Sequence, residues 1–199
     1  MRINARTAGL ANLGADIDDH YYSQISTESL KTIYSEKHVK DGKNDWDQWN
    51  QFDYDSMSVA VKVLDHKREN PNRNWTVDLT DDTYGVLSTY LSFRDEDWDK
   101  HILGDSTIQN VFYEKKLYTF GVEYGGVEYI KMNGRNIKTH KLYPILPDSE
   151  DFYNKRLVSF WITADDNKYP ILIHAKMKFG TVKVELISNN GIHIKKYKQ

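Results

Sequence analysis

The C-terminal third of the chain alternates apolar and polar residues in short runs that tight turns separate. In the clearest run, from Ile171 to Phe179, His174, Lys176 and Lys178 lie between apolar residues. An acidic turn at 164–168 precedes this run, and Gly180 marks a turn after it. A period of two places successive side chains on opposite faces of a strand. Strands joined by such short turns pair antiparallel, because parallel pairs need longer crossovers.

The same pattern predicts strands further upstream. Met57, Val59, Val61 and Val63 alternate strictly and should line one face of a strand. Strands are also predicted at 32–39, 111–114, 137–143 and 157–163, and a last one at 192–197. Asp41 to Asn44 has the composition of a turn. The Gly125-Gly126 pair between two alternating runs predicts a hairpin, because such turns need positive φ.

One helix is predicted between Asp81 and Asp95, with Asp81 or Asp82 capping its first N–H groups. Leu87, Tyr90 and Leu91 recur at helical spacing, which favours a helix packed on a sheet. Gly85 should weaken this helix by about 1 kcal/mol relative to Ala.

The predicted fold class is therefore mainly β with one central helix. We expect a curved antiparallel sheet, or a partly open β-barrel, with the helix packed against it. The length of 199 residues suits a single domain over 1–199 that buries its core without metal or disulfide bonds, and two small domains are the alternative.

Charge and cysteine content exclude several functions. The net charge is −2 and basic residues are dispersed. The sequence therefore shows no cluster of basic residues that would bind nucleic acid or an anionic membrane. Apolar runs stay well below the roughly 18 residues of a transmembrane helix, so we expect no integral membrane protein. The chain contains no cysteine, which excludes disulfides, thiol catalysis and thiolate metal sites.

The sequence shows no recognisable catalytic or metal-binding motif. Its seven histidines lack the spacing of a helical metal site. Asp165-Asp166 fits a turn better than a carboxylate pair, since adjacent turn residues point apart. The acidic stretch around Asp53 lacks the Gly-centred loop of a calcium site. We therefore predict no catalytic residues, no metal and no cofactor, although a site assembled from distant residues stays open.

Aromatic and polar residues on strands are the remaining candidates. Trp46 and Trp49 stand among aspartates, and such residues can hold sugar rings by stacking and hydrogen bonds. Cross-strand aromatic pairing is the alternative, and we favour it. The candidate ligand-binding residues are Trp46, Trp49, Tyr90, Arg94, Trp161 and His174. A polar, solvated strand face is the simplest interpretation of His174.

Arg94 should lie at the end of the predicted helix, on the face that meets the sheet. A buried guanidinium needs a carboxylate or several carbonyls. We therefore expect Arg94 to form a structural salt bridge or carbonyl clamp between helix and sheet.

Two segments resemble a known family. The segment 157–171, with Trp161, an acidic turn and Pro170, is followed by a strand, Gly180 and a return strand ending in Leu186. This order is similar to the C-terminal signature of the bacterial domain-of-unknown-function family 3108. The predicted helix and the segment after it resemble the central segment of that family, through Asp82, Ser88, Tyr90 and Arg94 in the helix and Gly104-Asp105 after it.

The resemblance implies an exported, largely β protein of the periplasm or cell envelope, with no assigned activity. The family usually has a signal peptide and further strands before the point where this chain starts. Residues 1–8 have the pattern of a strand already under way, so we expect the chain to lack those N-terminal strands.

Three functions follow as hypotheses. The leading one is a non-catalytic module whose curved sheet binds a lipid or other apolar ligand, or a segment of an envelope protein. The second is an enzyme acting on envelope glycan or lipid, with His174, Asp53 and Arg94 as candidates. The third is a structural protein that pairs through exposed sheet edges.

Overall fold

The structure is a computed structural model that describes residues 1–6, 17–42, 44–132, 134–145, 157–177 and 180–186. In these residues the chain is mainly β, with thirteen strands and one α-helix. The predicted last strand at 192–197 and the turn before Gly180 lie outside the described residues. No helix in the described ranges combines the length and the hydrophobicity needed to cross a membrane.

The N-terminal strands form an antiparallel sheet of six strands in sequence order. They are β1 (Arg2–Arg6), β2 (Asp18–Ile25), β3 (Thr32–Asp41), β4 (Asn44–Asp53), β5 (Ser58–Asp65) and β6 (Asn72–Asp78). The predicted turn between β3 and β4 is confirmed: Asp41 pairs with Asn44, and Gly42 has a φ of 43°. Short loops force each strand to pair with its predecessor, which produces this meander.

The remaining strands form a seven-stranded sheet in the order β13-β12-β11-β10-β9-β8-β7. The elements are β7 (Thr83–Gly85), α1 (Val86–Asp95), a short 3-10 helix (Trp98–Lys100), β8 (Ser106–Tyr113), β9 (Lys116–Met132), β10 (Arg135–Ile145), β11 (Val158–Thr163), β12 (Pro170–Met177) and β13 (Gly180–Glu185). The pair β7–β8 is parallel, and α1 lies in the crossover that such a pair requires.

The chain divides into two compact units, Met1–Ser92 with Asn110–Tyr118 and Phe93–Gln109 with Thr119–Gln199. In the first unit, β5 contributes Val59, Val61 and Val63 to a core with Phe52 and Phe112. The second unit has one core around Trp98, Val122 and Leu142, and another around Trp161, Ile171 and Leu172. The single domain expected over 1–199 stays a prediction.

The fold class predicted from the sequence is confirmed. The protein is mainly β with one helix, and neither sheet closes into a barrel over the described residues. Within the first unit the helix packs on the six-stranded sheet, where the Ser88 and Thr32 hydroxyls lie 2.7 Å apart and both side chains are buried.

The start of the helix differs from the prediction. The helix begins at Val86, because residues 83–85 pair with β8. The Asp82 carboxylate accepts hydrogen bonds from the side chains of Thr80 and Asn110 and does not cap the helix. Gly85 precedes the helix, and a Cβ there would lie 2.6 Å from Thr32 Oγ1. This glycine is therefore required by close approach to β3 and does not weaken the helix interior.

The hairpin predicted at Gly125-Gly126 is wrong. β9 runs without interruption through both glycines to Met132. Val127 pairs with His140 and Tyr124 with Leu142, so two glycines oppose Lys141 in a β-bulge. Gly126 has a φ of 87°, and a Cβ on Gly125 would lie 2.6 Å from the Tyr143 ring. The glycines therefore bend a long strand instead of reversing the chain.

Candidate functional site

The six-stranded sheet has one covered face and one exposed face. Phe52, Val59 and Val61 face the core of the first unit, so the residues that alternate with them face the other way. We call this second side the open face. Its central residues, across β2 to β6, are Tyr22, Tyr34, Glu36, His38, Asp47, Trp49, Gln51, Ala60, Lys62, Asn74 and Thr76.

Two rows of cross-strand partners form a cleft on the open face. Trp49 lies between Glu36 on β3 and Lys62 on β5. In the next row, Ala60 lies between Gln51 and Thr76. The Ala60 methyl is much smaller than its neighbours, and a shallow cleft of about 500 Å³ lies over it. We call this the Trp49 cleft; it is lined by Tyr34, Trp49, Gln51, Ala60, Val61, Lys62, Asn74, Trp75 and Thr76.

The Trp49 cleft combines aromatic rings with hydrogen-bonding groups. The Lys62 ammonium lies 5.4 Å from the Trp49 ring centroid. Tyr34 donates a hydrogen bond to Glu36 at 3.0 Å; burial and this hydrogen bond raise the pKa of Tyr34 to about 12. The phenol therefore stays neutral at physiological pH. Amides, a hydroxyl and an ammonium around flat rings suit a ligand with apolar C–H faces and polar edges.

A histidine–carboxylate cluster adjoins the cleft on the open face. His38 Nδ1 lies 2.7 Å from one Asp47 oxygen, and His66 Nε2 lies 2.9 Å from the other. The His38 ring meets Trp49 edge-on, with 6.3 Å between ring centroids. Within the described residues, no group of three or more His, Asp or Glu side chains is arranged to hold a metal ion.

A second lysine lies on the covered face of the same sheet. The Lys37 ammonium is 3.0 Å from the Glu114 carboxylate and contacts the rings of Tyr21, Trp46 and Tyr113 at 4.7–5.4 Å. Its side chain is only 12% exposed. We call this the Lys37 cage. The lysine itself fills the space between the rings, so the cage holds Tyr113 and Glu114 onto the sheet.

Buried polar side chains surround a small cavity beside the Lys37 cage. Gln48 donates to Asn50 and to the backbone carbonyl of Glu114, and Asn50 donates to Ser35. The cavity has a volume of about 40 Å³. That is room for ordered water but not for a sugar or a lipid chain.

In the second unit, the structure brings together two of the predicted site residues. Trp161 and His174 pack edge to face, with ring centroids 5.1 Å apart. Trp161 Nε1 donates to Glu128 at 2.8 Å, and Lys141 pairs with the same carboxylate at 2.8 Å. Burial alone would raise the pKa of Glu128, but the hydrogen bonds from Lys141 and Trp161 outweigh it and lower that pKa. Glu128 is therefore held ionised between its two donors.

The predicted carbonyl clamp at Arg94 is confirmed. Nε and Nη2 of Arg94 both donate to the Asn167 carbonyl, at 3.1 and 2.5 Å, and the guanidinium lies over the Tyr169 ring. Asn167 belongs to the turn between β11 and β12. The clamp thus ties the end of α1 to this turn.

The remaining predicted residues have separate positions. Trp46 and Trp49 lie three residues apart in β4 and therefore face opposite sides of the sheet. Tyr90 lies in α1 and is partly buried. Asp53 accepts hydrogen bonds from the N–H groups of Asp55 and Ser56, which lower its pKa. Asp53 therefore stabilises its own turn.

Sequence reasoning missed Tyr34, Lys37, Lys62 and Glu128. A paired-strand alignment of β3, β4 and β5 could have placed Lys62 opposite Trp49, since the short β3–β4 connection and the turn at 54–57 fix that register. The Lys37 cage could not be predicted in this way, because it also contains Tyr113 and Glu114, which are more than seventy residues away in the chain.

Comparison with known proteins identifies the family. Residues 1–187 of the chain match the profile of a family described as "Protein of unknown function (DUF3108)". The chain belongs to the DUF3108 family. The match includes the Trp49 cleft, the Lys37 cage and the Arg94 clamp, so all three lie within the DUF3108 region. No curated protein and no solved structure matches the chain.

Proposed function

We propose that this DUF3108 protein is a non-catalytic module of the bacterial cell envelope that binds a sugar chain in the Trp49 cleft. One observation carries the proposal. Trp49 and Tyr34 stand on the open face beside the amides of Gln51 and Asn74. Sugar rings present apolar C–H faces to aromatic rings and hydroxyl groups to amides, so both parts of the ligand find partners.

The charges next to Trp49 favour a ligand that is neutral overall near pH 7. Glu36 and Lys62 flank Trp49 on either side and carry opposite charges. A sugar hydroxyl can donate to the carboxylate and accept from the ammonium, so both charges can be used without a net charge on the ligand.

The packing of both units supports a sugar over an apolar ligand. The described cores are filled by side chains such as Phe52, Trp98 and Trp161. The cavity beside the Lys37 cage has polar side chains in its lining and is too small for a lipid chain. The envelope location rests on the family resemblance alone, and a lipid or an envelope protein segment remains the alternative ligand.

The enzyme hypothesis draws little support from its candidates. Asp53 is engaged in its own turn, Arg94 in the clamp on Asn167, and His174 in packing against Trp161. Each side chain already serves a local structural contact, whereas a catalytic group should point at a shared substrate position.

A binding panel followed by calorimetry tests the proposal. The panel contains neutral glucans, N-acetylglucosamine oligomers and uronic-acid oligomers. Chitohexaose then serves as the neutral probe for calorimetry. Trp49→Ala should weaken binding at least about tenfold, because it removes the ring on which a sugar stacks.

Tyr129→Ala is the matched control, since Tyr129 is an exposed aromatic residue on β9 of the second unit. Its affinity for chitohexaose should equal that of the wild type. Failure of every oligosaccharide to bind, or equal losses in the two variants, would contradict the proposal.

The six-stranded sheet also supports a second candidate function, pairing through a sheet edge. Over the described residues, β6 pairs only with β5 and leaves one edge open. Open edges pair readily with other strands. Light scattering over a range of concentrations tests this role: growth of the particle mass with concentration would support it, and a strict monomer would argue against self-pairing.

A further inference from the structure

Three histidines lie side by side on the open face next to the Trp49 cleft. His20 on β2 and His38 on β3 are cross-strand partners. His66 follows β5 and reaches back to Asp47 on β4. Imidazole is the side chain whose charge ordinarily changes between about pH 5 and 8. A proton on any of these imidazoles adds a positive charge to the open face.

Asp47 joins two of the imidazoles. Its two oxygens are taken by His38 and His66 at 2.7 and 2.9 Å. The carboxylate is 20% exposed, whereas the two imidazole side chains are 41% and 40% exposed. Either ring can therefore take up a proton from solvent while it keeps its contact with Asp47. Protonation then turns that contact into an ion pair.

The cluster is close enough to the cleft to affect a ligand there. His38 touches the edge of the Trp49 ring, and Asp47 lies two positions before Trp49 on the same strand face. The separation is well within the Debye length of about 8–10 Å at physiological salt. A proton on His38 therefore changes the electrostatic potential at the Trp49 ring.

The other charged groups on this face come from every neighbouring strand. Glu36 lies 3.9 Å from His38, and Asp18 lies 3.0 Å from His20. The remaining ones on the strands are Arg2 on β1, Lys40 on β3, Asp45 and Asp53 on β4 and Lys62 on β5. Lys67 adjoins His66 after β5, and its ammonium donates to the Gly42 carbonyl. Acidic and basic groups nearly balance while the imidazoles are neutral, so protonation of the histidines makes this part of the face positive.

We propose that protonation of this histidine cluster converts the Trp49 cleft from a site for neutral sugars into a site that prefers sugars bearing a carboxylate. The inference rests on the proposed sugar-binding function and adds its charge selectivity. A uronate ring keeps the C–H face that stacks on Trp49, and its carboxylate is attracted by the new positive charges. Neutral sugars gain nothing from those charges.

Calorimetry with two probes at two pH values tests the inference. Hexameric oligogalacturonate is the anionic probe and chitohexaose the neutral one, each at about pH 7.5 and about pH 5.5. Uronate carboxylates, with pKa values of about 3–4, stay ionised at both. In the wild type, affinity for oligogalacturonate should rise about tenfold on acidification. Affinity for chitohexaose should change less than about twofold.

The variant His20→Gln/His38→Gln/His66→Gln supplies the control, because glutamine keeps a hydrogen-bonding group at each position but takes no proton. Its affinity for oligogalacturonate should be nearly independent of pH. An equal acid enhancement in this variant would overturn the inference, as would a wild type without enhancement. If chitohexaose still binds through Trp49 in either case, only the charge selectivity has failed. If neither probe binds at either pH, the charge selectivity is contradicted, and the sugar-binding proposal is contradicted as well when no oligosaccharide of the panel binds.

Discussion

Two lysine–tryptophan pairs lie on opposite faces of the same sheet. Lys37 contacts Trp46 at 4.7 Å on the covered face, and Lys62 contacts Trp49 at 5.4 Å on the open face. Lys37 also has a carboxylate partner and two more rings, and it is almost buried. Lys62 is exposed beside a cleft. The lysine–tryptophan contact is therefore part of the packing on the covered face, whereas on the open face it borders a cleft.

The largest effect should come from removing the enclosed lysine. Lys37→Met keeps the aliphatic length but leaves Glu114 without its ammonium partner. We expect a loss of about 2–3 kcal/mol in the free energy of unfolding, because the enclosed ammonium loses its contacts with three rings and its hydrogen bond to the carboxylate. Urea unfolding followed by far-UV circular dichroism measures this loss.

Lys62→Met is the matched control for Lys37→Met. It should cost roughly 0.5 kcal/mol or less, since exposed cation–π contacts contribute little. Equal losses of unfolding free energy in Lys37→Met and Lys62→Met would contradict a structural role that only the enclosed lysine has.

A smaller effect is expected at Arg94, which is partly enclosed. Arg94→Leu removes two charge-assisted hydrogen bonds to the Asn167 carbonyl and the contact with Tyr169. The expected loss is about 2 kcal/mol in the free energy of unfolding. Arg94→Lys should lose less, because it keeps the charge but not the planar fork. An unchanged melting temperature in Arg94→Leu would contradict the clamp.

The contrast between enclosed and open groups extends to the histidines. His140 in the second unit is 2% exposed, and its Nδ1 is 3.0 Å from the Tyr124 hydroxyl. Burial lowers the pKa of His140 below its value in the unfolded chain. The unfolded state therefore binds more protons, so stability is full above about pH 6.5 and falls as the pH decreases.

His140→Gln should make the free energy of unfolding less dependent on pH between about pH 7.5 and 5. Unfolding by urea at several pH values measures this slope in the variant and in the wild type. A slope in His140→Gln that equals the wild-type slope would contradict the role of the buried imidazole.

Much of the fold follows from the alternation of apolar and polar residues along the strands and from the residue types that favour turns. The alternation at Val59, Val61 and Val63 correctly identified one face of β5, and Asp41-Gly42 identified the β3–β4 turn. These features are local, so the sequence contains them directly. The fold class, the family and the Arg94 clamp were also predicted correctly.

The missed features depend on distant residues. Gly125 is required because a Cβ there would collide with the Tyr143 ring, and Gly85 because a Cβ would collide with Thr32. Neither neighbour is close in the chain. The local sequence alone therefore favoured a hairpin at Gly125-Gly126 and a helix that includes Gly85. Trp46 and Trp49 were grouped by proximity in sequence, although an odd spacing in a strand separates them. The three-residue spacing between Trp46 and Trp49 in a predicted strand would have shown that they face opposite sides.

We propose that a sugar chain binds the open face around Trp49 and not the covered face around Trp46. Nuclear magnetic resonance of the ¹⁵N-labelled protein, titrated with chitohexaose, tests it most directly. Shift changes are expected at the indole N–H of Trp49 and at the side-chain amides of Gln51 and Asn74. The indole N–H of Trp46 should stay unchanged. Shifts confined to the second unit, or equal shifts at Trp46 and Trp49, would contradict the account.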